Sequence, residues 1–151
     1  STLSSSSAAS DVYKRQVRCG GGVNHRMSLG DAALIKDNHV ASVGSAADAY
    51  RRTAKAFPDL PLEVEVDDLD QLTEVLELKP NLVMLDNFGV EDTREAVARR
   101  DALSPATMLE SSGGLTLDRA RAYADTGVDF LAVGALTHSV TILDIGLDAL
   151  P

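Results

Sequence analysis

The chain has no tryptophan, and its three phenylalanines and three tyrosines make up only 4% of the residues. Stacked aromatics therefore cannot carry its core or a nucleic-acid-binding surface. A single cysteine, Cys19, excludes an internal disulfide and a cysteine-held metal cluster. A reduced, cytoplasmic setting is the default expectation. His25, His39 and His138 are the only histidines and show no zinc spacing, so no transition-metal site is expected from them. No apolar run reaches the length of a membrane span, and residues 1–16 lack the apolar core of a signal peptide. Positive charge is also scarce. Lysine and arginine number 14 against 23 acidic residues, a net charge of −9 that disfavours nucleic acid and anionic membrane as partners.

Against this acidic background one segment stands out. Between Val17 and Val40 lie Arg18, His25, Arg26, Lys36 and His39, opposed only by Asp31 and Asp37, and most carboxylates come after residue 60. A locally basic pocket suits a small anionic ligand. The hydrophobic fraction of 44%, mostly aliphatic, fits one domain with a parallel α/β core.

Residues 1–16 are polar and low in complexity and run into a glycine-rich motif without turn or cap, so they read as a disordered tail or a cloning or sequencing scar. Val17-Arg18-Cys19 is a short β-like run into Gly20-Gly21-Gly22. Beyond it, strands are expected at 31–36, 62–66, 81–86, 106–110 and 128–133. Helices are expected at 45–57, with Ser45 as N-cap, and at 68–78, 90–100 and 116–126, the last closed by Gly127. The alternating stretch at 142–147 is a candidate edge or interface strand. Repeated β-α units with short connections imply parallel strands, and an open or partial (β/α) barrel of TIM-like type over 17–151 is favoured over a doubly wound sheet. No Gly-x-Gly-x-x-Gly follows the first strand, so dinucleotide binding has no support.

Polar groups end five apolar runs: Lys36, Glu65, Asp86, Ser112 and Gly134. The last four are spaced by about 20–26 residues, one strand-helix unit each. Parallel strands present functional groups at their C-terminal ends, so these residues are expected to line one site. A lysine after four apolar residues needs an anionic partner or ligand. Glu65 and Asp86 at neighbouring strand ends can hold Mg2+ or bond ribose hydroxyls. Glu63 shares the side of Glu65 and is a weaker candidate, Asp67 reads as a cap or loop residue, and Glu110 as structural. Ser111-Ser112-Gly113-Gly114 before a helix, together with Gly134, is an anion-binding pattern that suits phosphate.

The stretch from Arg18 to His39, which includes Asn24-His25-Arg26-Met-Ser-Leu-Gly-Asp-Ala-Ala-Leu-Ile-Lys36, resembles the signature of quinolinate phosphoribosyltransferases. Glu63-Val-Glu-Val-Asp67, Leu85-Asp-Asn-Phe88, Leu109-Glu-Ser-Ser-Gly-Gly114 and Val133-Gly-Ala-Leu-Thr-His-Ser139 match in the same order. The resemblance implies that quinolinate and phosphoribosyl pyrophosphate are joined into nicotinate mononucleotide with release of pyrophosphate and CO2, in NAD biosynthesis. It places His25, Arg26 and Lys36 around the substrate dicarboxylate. Glu65 and Asp86 lie near ribose and Mg2+, with Lys36, Glu65 and Asp86 as the catalytic group. Ser112, Gly113, Gly114, Gly134 and His138 join the substrate-binding set, and a homodimer or larger homo-oligomer is implied.

Family members also carry an N-terminal domain, a Thr-Arg-Lys-Thr type segment and an arginine that enters the other subunit's site. None of these is in this sequence, so the expectation is a C-terminal barrel portion that binds and turns over poorly by itself. Competing readings are a paralogue related to molybdenum transport, a non-catalytic remnant, and an unrelated phosphosugar barrel enzyme.

Overall fold

The computed structural model describes residues 14–25 and 32–139, apart from the side chains of Thr137 and His138. The stretch at 142–147 lies outside them. Among the described residues from 32 on, five strands, β1 (Ala33–Ile35), β2 (Leu62–Val66), β3 (Leu82–Asp86), β4 (Met108–Ser112) and β5 (Phe130–Leu131), are interspersed with six helices. These are α1 (Asp37–Val43), α2 (Ala46–Ala56), α3 (Leu69–Leu76), α4 (Val90–Leu103), α5 (Leu117–Ala124) and α6 (Ala135–His138).

The strands pair in parallel and in sequence order, β1-β2-β3-β4-β5. Right-handed crossovers that always step the same way put every connecting helix on the same face. A doubly wound sheet reverses direction and covers both faces. The described sheet is therefore an arc of barrel, with helices outside and a concave face within.

The alternation of each strand sorts its side chains between these faces. Outward, Val64 and Val66 of β2, Val83 and Leu85 of β3 and Leu109 of β4 are fully buried against Leu72, Val75 and Leu76 of α3 and Ala96 of α4. Each such aliphatic side chain stabilises by roughly 1.5–3 kcal/mol. Inward, the same strands carry Glu63, Glu65, Met84, Asp86, Glu110 and Ser112, which share register across the sheet.

Helix starts follow local chemistry. The hydroxyl of Ser45 accepts the Asp48 N–H, as the sequence leads one to expect. Asp68, not Asp67, caps α3: its carboxylate accepts the N–H groups of Asp70 and Gln71, while the Gln71 side chain accepts from the Asp67 N–H. Asp67 is thereby left in the loop, free to face the strand ends.

Three expectations change. Residues 14–19 are helical, so Val17-Arg18-Cys19 is not β-like; the Gly20-Gly21-Gly22 turn closes on it through the N–H groups of Gly20 and Gly22, bonded to Gln16 and Val17. The strands near 106–110 and 128–133 shift or shorten to Met108–Ser112 and Phe130–Leu131. The sequence reading also missed α1. There the His39 Nδ1 accepts the Lys36 N–H at 3.0 Å, and Gly44 ends the helix at φ +108°.

Candidate active site

The C-terminal ends of β1, β2, β3 and β4 lie side by side on the concave face. Lys36 leaves β1 and its Nζ lies 2.7 Å from Glu65 Oε2 on β2. The hydrogen bond that Lys36 donates to Glu65, aided by the charges of Asp86 and Asp37, raises the lysine pKa above its ordinary value, so it remains an ammonium. Glu65 is 7% exposed, but the Lys36 side chain is 49% exposed. The expectation that Lys36 needs an anionic partner is met by Glu65. It is nevertheless half in solvent, and so can reach a ligand as well.

Asp86 ends β3 and stands in register with Ser112 of β4. Carboxylate oxygens of Glu65, Asp67 and Asp86 all lie within 4.8 Å of one another. An all-oxygen group of this kind fits a hard cation such as Mg2+. Asn87 follows at φ +56°, where its amide donates to Asp86 Oδ2 at 2.6 Å and its N–H donates to the Ser112 carbonyl at 3.0 Å. That left-handed turn locks the end of β3 to the end of β4. It also explains Gly113. At φ +94°, a Cβ here would overlap the Asn87 side-chain amide and come within 2.7 Å of its backbone nitrogen. The Ser112-Gly113-Gly114 turn then leads into α5, so its N–H groups and the Ser112 hydroxyl sit where an anion can be cradled. Gly134 opens α6 just beyond β5, on the same edge of the sheet.

Below this row lies a second group. His25 Nε2 is 2.8 Å from Glu63 Oε2 and 3.5 Å from Glu110 Oε1. Glu63 and Glu110 belong to β2 and β4, with β3 between them, so only the concavity of the sheet lets one imidazole reach both. Burial, reinforced by the Glu63 charge and opposed by His25, pushes the Glu110 carboxyl up to about 7. The sequence reading ranked Glu63 low and Glu110 as structural. The signal that could have raised them is the glutamate at alternate positions of Leu62–Val66, with a third after Leu109, all in otherwise apolar runs.

Arg26 lies outside the described residues, as does the side chain of His138. His39 orients the start of α1 through the Lys36 N–H. A cleft of about 400 Å³, which shares Asp67 with the carboxylate group, is lined by Asp67, Asp68, Asp70, Asp92, Asn87 and Arg99, among others. Its four carboxylates against one guanidinium repel anions, so the concave face is the better place for an anionic substrate.

Known proteins share the chain's sequence and fold. The family model described as Quinolinate phosphoribosyl transferase, C-terminal domain, matches residues 7–148. The nicotinate-nucleotide pyrophosphorylase [carboxylating] of Mycobacterium leprae is 64% identical over 137 residues, covering 91% of this chain and 48% of the relative. That of Rattus norvegicus is 38% identical over 138 residues, covering 90% and 46%. The solved nicotinate-nucleotide pyrophosphorylase of Ehrlichia chaffeensis superposes with a TM-score of 0.83 at 36% identity, over 89% of this chain and 48% of that one. The chain spans about half the length of the curated relatives it matches.

Proposed function

Since the chain belongs to the quinolinate phosphoribosyltransferase family, in its C-terminal domain, we propose that it supplies the strand-end half of an active site for quinolinate and phosphoribosyl pyrophosphate. The products are nicotinate mononucleotide, pyrophosphate and CO2. The observation that carries this reading is the row Lys36, Glu65, Asp86 and Ser112 along one edge of the concave face, with Lys36 and Glu65 2.7 Å apart.

The pyridine nitrogen attacks the anomeric carbon as pyrophosphate leaves, through an oxocarbenium-like state. Glu65 and Asp86 place negative charge beside that developing cation. Glu65, Asp67 and Asp86 would hold Mg2+, which would supply positive charge against the pyrophosphate. The ammonium of Lys36 and the basic His25-Arg26 pair suit the two carboxylates of quinolinate. The Ser112-Gly113-Gly114 turn and Gly134 suit the 5-phosphate. Once the ring nitrogen is quaternary, its positive charge stabilises the electron pair left on the neighbouring ring carbon as CO2 departs, and that carbon then takes a proton from water. No covalent nucleophile is called for.

The single exposed cysteine fits a reducing, cytoplasmic setting. Among the described residues no helix is long and apolar enough to cross a membrane. Family membership carries a homodimer or larger assembly as an expectation.

The test is a chimera in which this chain replaces the matching half of the M. leprae relative, assayed for nicotinate mononucleotide by chromatography. Production that falls at least a hundredfold in Glu65→Gln and Asp86→Asn supports the reading. Unchanged rates in both variants would overturn it.

A further inference from the structure

Tyr123 lies on α5, away from the concave face, and is 2% exposed. Its hydroxyl is 2.9 Å from the Phe88 carbonyl and 3.1 Å from Arg119 Nη2, and the Arg119 guanidinium stands over its ring at 5.5 Å. Chemistry fixes the direction of both bonds. A guanidinium only donates and a carbonyl only accepts, so the hydroxyl accepts from Arg119 and donates to Phe88. A phenol that accepts from a cation is polarised and donates more strongly in turn. Phe88 belongs to neither β3 nor α4, so its carbonyl has no place in a ladder or a helix and takes a donor from another element.

The two ends of this bond belong to the two loops that matter most. Phe88 stands two residues after Asp86. Asn87 holds the turn between them, its amide donating to Asp86 Oδ2 and its N–H to the Ser112 carbonyl. Tyr123 stands on the helix that follows the Ser112-Gly113-Gly114 turn. The Tyr123–Phe88 bond thus joins from the helical side what the Asn87–Ser112 bond joins at the strand ends. On the reading of Asp86 as the carboxylate beside the reacting ribose and of that turn as the 5-phosphate cradle, we infer that Tyr123 is a positioning residue: its hydroxyl sets the spacing between the two. A phosphosugar bound at both ends tolerates little error in that spacing, because a misplacement of about 1 Å costs roughly a hundredfold in rate. Thr126 gives the contrast. Its buried hydroxyl donates to the Tyr123 carbonyl at 2.6 Å, so it supports the same helix through the backbone alone.

The M. leprae chimera is assayed for kcat and KM well below its melting temperature. Tyr123→Phe, which keeps the ring, is expected to lower kcat at least tenfold and to leave KM for quinolinate within twofold. Added to Asp86→Asn, it is expected to cost less than a further twofold, since the bond acts through Asp86. Thr126→Val is expected to lower the melting temperature as much as Tyr123→Phe and to keep kcat within twofold. Replacing Tyr123 by 4-aminophenylalanine restores an N–H donor on the same ring and is expected to recover at least half of the parent kcat. It also decides the matter where Tyr123→Phe fails to fold by circular dichroism. An unchanged kcat in Tyr123→Phe overturns the inference, as do losses that multiply in the double variant, an equal kcat loss in Thr126→Val, or no recovery with the amine. A loss in Asp86→Asn with none in Tyr123→Phe removes this inference alone, whereas no loss in Asp86→Asn removes the reading beneath it.

Discussion

Glu110 carries the clearest pH consequence. Its folded pKa of about 7 lies above its ordinary 4.5, so the folded state holds a proton that the unfolded chain releases. That contribution to stability is complete below about pH 4.5 and is lost as pH rises through about 7. After discounting for solvent screening, it amounts to on the order of 1–2 kcal/mol. Urea unfolding of Glu110→Gln across pH 5–8 is expected to show a flatter pH dependence than the parent; parallel curves would contradict the assignment. Gly113 gives the second prediction at this scale. Gly113→Ala meets both the left-handed backbone and the Asn87 side chain, and is expected to cost about 2–4 kcal/mol in urea unfolding, in line with the strain of a disfavoured backbone plus a clash.

Among the elements, α4 is tied down by an arginine in its last turn, Arg100. Arg100 is buried. It donates to Asp129 Oδ2 at 2.7 Å and to the Thr107 carbonyl at 3.1 Å, and Asp129 also accepts the Leu109 N–H. One ion pair thus joins α4, the entry to β4 and the entry to β5. Asp129→Ala leaves the guanidinium with Asp101 alone, 2.6 Å away, and strips the Leu109 N–H of its acceptor, and is expected to destabilise by about 1–3 kcal/mol by thermal or urea unfolding. A loss below half a kcal/mol would show the contact to be incidental. The strands and amphipathic helices were legible because their periodicity is strong: β2 matches its expected span residue for residue, and Ser45 is the cap it was read to be. What stayed hidden depended on tertiary contacts. Asp37-Asn-His-Val-Ala-Ser-Val43 offers only Val40 and Val43 to the core, too short a pattern to read, and the start of α1 is organised by the bond between His39 and the Lys36 backbone. Strand β5 is two residues long because its pairing to β4 is brief.

For the molecule as a whole, the sequential parallel order decides what the site can be. It leaves the concave face to polar side chains and gives the helices the other. Spacing alone made Lys36, Glu65, Asp86 and Ser112 legible as neighbours, because strand ends in such a fold must converge. It could not reveal that His25 crosses β3 to reach both Glu63 and Glu110, since that depends on curvature. The same face bears Met108 and Phe130, each 41% exposed. The central claim is that one edge of this face divides a phosphosugar between two stations, carboxylates for the ribose and pyrophosphate end and the Ser112-Gly113-Gly114 turn for the 5-phosphate. Phosphorus NMR of phosphoribosyl pyrophosphate titrated with the M. leprae chimera and Mg2+ separates those phosphates by chemical shift. The account predicts that Asp86→Asn chiefly removes the change at the pyrophosphate resonances and Ser112→Ala chiefly that at the 5-phosphate. Equal effects of both variants on every resonance, or none on any, would contradict it.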